Sequence, residues 1–141
     1  KHLKIRLPEP SVSQIAGQRR DGLWQHTCCE AFIATDNQTG YLEFNFSPSG
    51  DWACYAFNDY RQPAPLPLLA RPPRINCQAT DDGFCLQAAV DRENLPIARP
   101  WRLGLSCVLE ECSGHKTYWA LQHDTPQPDF HRRACFTLSL P

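Results

Sequence analysis

No Gly-x-Ser-x-Gly elbow, His-Glu-x-x-His pair, phosphate loop or Gly-x-Gly-x-x-Gly fingerprint occurs in this chain, whose 141 residues include only seven glycines. The common nucleophile, zinc-protease and nucleotide signatures are therefore missing, and little glycine remains to build a nucleotide cradle. Cys-x-x-Cys is absent as well, so a zinc cluster or a thioredoxin-type motif has no anchor. No run of about 18 apolar residues exists to span a bilayer as a helix, so no membrane partner is expected. A basic excess is also lacking: 14 Lys and Arg against 15 Asp and Glu leave a formal net charge of -1. That balance argues against a nucleic-acid partner. Lys1 stands where an initiator methionine would, which leaves room for a preceding segment; "KHLKIRLPEP" has no apolar signal core and reads as an edge strand.

What is present describes one soluble domain over residues 1–141, with 42% hydrophobic and 21% charged residues. Eight cysteines, an even number, invite a disulfide framework. Most of them, however, sit inside apolar runs such as "WACYAF", "GFCLQAAV" and "ACFTLSL", where a free thiol behaves as a small hydrophobe. Cys28 and Cys29 are neighbours in a strand and so point to opposite faces. Free cysteines are the expectation, and with them a reducing, cytoplasmic compartment.

The periodicity is that of an all-β protein. Strands are predicted over 2–7, 27–34, 41–47, 52–58, 74–79, 84–91, 101–111, 117–122 and 135–140, divided by "TDNQTG", "SPSG", "TDDG", "ECSGH" and "TPQP". Single helical turns are expected at "SVSQIAG" and "DRENLP". The stretch "RQPAPLPLLARPP" must be a loop or an extended surface crossover, since proline lacks the amide donor of a central strand. "PPRINC" reads as the point where the chain leaves one half of a sandwich for the other.

"YLEFNFS" raises the question of function. Leu42, Phe44 and Phe46 share the core side, while Tyr41, Glu43, Asn45 and Ser47 share the other. A ring, a carboxylate and an amide on one face suit a hydroxyl-rich or planar polar ligand; the alternative is a half-exposed sheet face. Upstream, Trp24 and His26 precede a strand carrying Glu30, on the same side as Cys28 and Phe32. Downstream, Tyr60 and Arg61 follow a strand end, where binding loops lie. "TYWALQHDTPQPDFHRRACF" gathers Trp119, His123, Asp129, Phe130 and His131 around one turn, as ligand contacts, a metal site or plain loop structure. Trp52 and Trp101 each open an apolar run and are assigned to the core. Glu30 and Glu43 on adjacent strands would stand near the separation of a retaining glycosidase pair, but a chain this short hardly builds the deep cleft that chemistry needs.

The segment "DGLWQHTCCEAFIATDNQTGYLEFNFSPSGDWACYAFNDYR" resembles the core of bacterial DOMON-like domains, relatives of family 9 carbohydrate-binding modules and of the haem domain of cellobiose dehydrogenase. The Leu-Trp opening, the Glu30-Ala-Phe32 strand, the Tyr41-to-Pro48 strand and turn, and the Tyr60-Arg61 pair carry the likeness. "LQAAVDRENLP", "WRLGLSCVLEE", "TYWALQH" and "PDFH" extend it over nearly the whole chain from about residue 20. The resemblance implies an antiparallel β-sandwich of roughly ten strands with a ligand site on one sheet face or its loop rim. It implies sugar or haem as ligand. The haem relatives use methionine and histidine as axial ligands, and this chain contains no methionine.

The leading expectation is therefore a non-catalytic binding module for a saccharide or similar small polar ligand. Trp24 and Trp119 would stack on it, with Tyr60 as a further platform. Glu43 and Asn45 would bond hydroxyls, and Arg61 would pair an anionic group; Glu30, His123, Asp129 and His131 complete the candidate set. A haem- or metal-binding redox domain using His123 and His131 is one alternative. A structural domain whose polar face meets a protein partner is the other.

Overall fold

The computed structural model describes residues 5–7 and 17–141. Nine strands are found there: β1 (Cys28–Thr35), β2 (Tyr41–Phe46), β3 (Trp52–Asp59), β4 (Gln62–Pro63), β5 (Arg74–Thr80), β6 (Gly83–Ala89), β7 (Trp101–Glu110), β8 (Lys116–Ala120) and β9 (Leu138–Leu140). Only single 3-10 turns accompany them, at Leu23–Gln25, Arg92–Asn94 and Arg133–Cys135. Among the described residues no helix is long and apolar enough to cross a membrane.

The result is an all-β sandwich with unequal layers. One sheet runs β4-β3-β2-β1-β7-β8, with β9 also paired to β7; the other is the β5–β6 ribbon alone. Every strand pairing is antiparallel. The β2–β3 hairpin follows from its turn residues: the Gly50 amide donates to the Ser47 carbonyl, with Gly50 at φ 94°, where a side chain would be strained. The Pro-rich stretch runs as an extended surface crossover that opens with the short edge strand β4, where Pro63 sits at a sheet margin and its missing donor costs nothing.

At "PPRINC" the chain does leave one layer of the sandwich for the other. Residues 74–89 cross to the second layer, and β7 then returns to the centre of the first sheet beside β1. The strand predicted over 135–140 shortens to Leu138–Leu140, because Arg133–Cys135 closes a 3-10 turn that buries Cys135. "DRENLP" does hold its turn. Most of "SVSQIAG" and of the 2–7 strand lies outside the described residues; Ile5 bridges Glu111.

Both faces of the large sheet are covered. On one, Ile33, Phe44, Phe46, Cys54 and Trp101 form a core against which Ile75 and Leu86 of the ribbon pack, with Leu69 and Leu95 from the loops. Trp52 is half-buried against the same cluster. On the other face, apolar clusters close the two ends. Leu23, Cys28 and Ala53 close one end; Phe32, Ala34, Tyr41, Cys135 and Phe136 close the other. Gly104 permits the second closure: a Cβ there would stand 2.7 Å from the Phe136 ring. Between these clusters lie Glu30, Glu43 and Asn45. All eight cysteines are unbridged; Cys28, Cys54 and Cys135 are buried, and Cys85 and Cys112 are exposed.

Candidate functional site

The middle of that second face is a groove of about 510 Å³, within the usual range for small-molecule sites. Its floor comes from alternate residues of four strands, because pairing places them side by side. Glu30 stands opposite Asn45 and Ser106, Phe32 opposite Glu43 and Gly104, and Glu43 opposite Tyr55. Trp24 and Gln25 close one wall from their 3-10 turn, Tyr118 of β8 a second, and Phe130 and His131 a third. Trp24 meets Tyr55 edge-on at 5.9 Å, and Tyr118 meets Phe130 at 6.4 Å.

Glu30 and Glu43 are only 5% and 6% exposed, so the polar side of β2 is neither a solvated nor a half-exposed face. Residues 128–136 cover it, and each carboxylate is supported from behind. Ser106 Oγ donates to Glu30 Oε2 at 2.8 Å, and Asn45 Nδ2 donates to Glu43 Oε1 at 2.8 Å. The Cys28 thiol donates to Asn45 Oδ1, which fixes the amide's orientation. Burial pushes the Glu30 carboxyl up to about 7; the Ser106 bond opposes this and the Glu43 charge adds to it. Burial raises Glu43 likewise, against the Asn45 bond and the charge of Arg61.

His131 is oriented by a chain of bonds. The Arg61 amide donates to Tyr41 Oη at 3.2 Å, and Tyr41 Oη shares a hydrogen bond with His131 Nδ1 at 2.8 Å. The other ring nitrogen, Nε2, stands 3.6 Å from Glu43 Oε2. Burial and the charge of Arg61 push the His131 pKa down to about 4, so near neutral pH this contact joins an uncharged imidazole to a carboxyl, not an ion pair.

At the rim, Asp129 organises the loops. Tyr60 Oη donates to one of its oxygens, and Arg61 Nη2 to the other at 2.8 Å. Burial raises the Asp129 carboxyl, but these two bonds outweigh it and hold it below the usual carboxylate range.

The structure therefore brings Trp24, Glu30, Glu43, Arg61 and His131 to one groove, with Tyr60 and Asp129 at its edge. Three expected residues stand elsewhere. Asn45 is fully buried behind Glu43 and positions it. His123 packs on Phe130, ring centroids 5.9 Å apart, outside the groove lining. Trp119 pairs with Cys107, which puts it on the opposite side of the sheet from Tyr118; the tryptophan expected to stack with Trp24 cannot share a groove with it. Phe130, expected around the C-terminal turn, lines the groove, and Tyr55, Phe57 and Tyr118 are aromatic walls absent from the expected set. Parity along β3 was the available signal, since Tyr55 and Phe57 fall opposite Glu43 and Tyr41. As for a metal, no group of three or more His, Cys, Asp or Glu side chains suited to hold an ion occurs among the described residues.

No family model and no curated protein matches the sequence. The fold does match a solved structure, described as a putative carbohydrate-binding protein from Bacteroides uniformis. The TM-score is 0.61 over 99% of this chain and 68% of that one, at 12% sequence identity. At that identity the likeness is one of fold.

Proposed function

We propose that this protein is a non-catalytic binding module that holds a saccharide, or a similar small polar ligand, in the groove over β1, β2 and β3. One observation carries the reading: two buried carboxylates, each hydrogen-bonded from behind, form the floor of an open groove walled by aromatic rings. Rings supply flat apolar contact for a sugar face, and fixed carboxylate oxygens accept from its hydroxyls. The fold neighbour's description supports the same direction. Kinship with DOMON-like domains is part of this proposal, and unbridged cysteines fit a cytoplasmic setting.

A thermal-shift screen against mono- and disaccharides and sugar phosphates tests it, because a ligand of the native state raises apparent stability. A binding sugar is expected to lose about tenfold or more in affinity with Trp24→Ala or Glu43→Gln, as for removal of a buried charged hydrogen bond. If no saccharide shifts the melting temperature, the groove is not a sugar site.

A further inference from the structure

Once ionised, the two carboxyls of the groove's floor carry a charge that no ion pair among the described residues balances. Each buried carboxylate spends one oxygen on a protein donor, Glu30 on Ser106 and Glu43 on Asn45. The second oxygen of Glu30 has no hydrogen-bond partner among the described residues, and the second oxygen of Glu43 has only the neutral His131 Nε2 at 3.6 Å. The two residues are diagonal neighbours across β1 and β2, a relation that spaces them by about 7 Å. Of the nearby cations, Arg61 is held by Asp129 at 2.8 Å, and Lys116, in register with Glu110 at the groove's edge, makes no ion pair with Glu30 or Glu43 among the described residues. Uncharged sugar hydroxyls donate to carboxylates but leave the charge in place, and an anionic ligand would add to it.

An ammonium supplies both a positive charge and three donors. The walls suit one too, since the faces of Trp, Tyr and Phe rings attract cations, and Trp24, Tyr55 and Tyr118 surround the floor. We propose that the ligand of this groove is a protonated primary amine borne on a six-membered ring, of which amino sugars are the saccharide class, with its ammonium between Glu30 and Glu43. The ring part of this inference rests on the saccharide reading above; the charge part stands on the two free oxygens.

Calorimetric titration of the whole chain with glucosamine, glucose, N-acetylglucosamine, cyclohexylammonium and cyclohexanol separates the two. Glucosamine is expected to bind about tenfold or more tightly than glucose or N-acetylglucosamine, the usual gain of a charge-assisted over a neutral hydrogen bond. Glu30→Gln is expected to remove that preference. Trp119→Phe, on the opposite face of the sheet from the groove, is expected to retain it and so controls for a substitution that leaves the site intact. Cyclohexylammonium binding without any sugar binding would support the charge and end the saccharide reading. Glucose binding as tightly as glucosamine overturns the cation while leaving the sugar site intact. No binding by any of the five overturns the proposal.

Discussion

Glu30 and His131 line one groove and are displaced in opposite senses from their ordinary pKa values, Glu30 up to about 7 and His131 down to about 4. For Glu30 the fold favours the protonated form, so its contribution is complete below its ordinary value of 4.5 and is lost as pH rises through about 7. For His131 the fold favours the neutral form. Its contribution is complete above 6.5 and is lost as pH falls through about 4. Within the shared window, between about pH 4.5 and 6.5, the two slopes offset each other. Raised Glu43 adds to the side of Glu30. The melting temperature of the native protein is therefore expected to change little between about pH 5 and 6.5, with a slight fall toward higher pH from Glu43. In Glu30→Gln it should rise with pH by roughly 5 °C over that range, and in His131→Gln it should fall by a similar amount. Calorimetric scans at a series of pH values check this, and parallel profiles for all three proteins would contradict the burial assigned to these groups.

At the scale of the element, the groove depends on a segment from the far end of the chain. Residues 128–136 carry Phe130 and His131, and they lie against β7 only because Gly104 has no side chain. A Cβ at that position would be 2.7 Å from Phe136 Cδ1 and 3.2 Å from the Cys135 carbonyl oxygen. Gly104→Ala is expected to cost about 1–3 kcal/mol in urea unfolding, as overpacking does, and to weaken ligand binding by shifting His131. A variant with wild-type stability and affinity would show that this closure does not position the site. The same segment explains what was legible beforehand. Strands announced themselves locally: alternation in "YLEFNF" grouped Tyr41, Glu43 and Asn45 correctly, and "SPSG" marked the turn after them. Burial of that group was not legible, because its cover comes from some 90 positions away, as the Tyr41–His131 bond shows. Parity failed at one step. Local sequence offers Trp119 as one aromatic platform, yet register with β7 gives that face to Tyr118. "WACYAF" reads as a plain core run, although its alternate members Tyr55 and Phe57 lie beside Glu43 and Tyr41.

For the whole molecule, the uneven sandwich gives the large sheet two different tasks. One face is sealed by the β5–β6 ribbon and makes an apolar core. The other is closed by apolar clusters at its ends and covered in part by residues 128–136, which leaves buried polar side chains on the floor of a groove between the clusters. The four tryptophans report on these surfaces separately: Trp24 on the groove, Trp52 and Trp101 in or against the core, and Trp119 on the reverse side. The most direct measurement is therefore a titration of the 15N-labelled protein with the tightest sugar or amino sugar found, following the indole N–H resonances. The Trp24 signal is expected to move in a saturable way while the Trp119 signal stays in place. A saturating shift at Trp119 with none at Trp24, or no shift at any indole, would contradict the assignment of this groove as the ligand site.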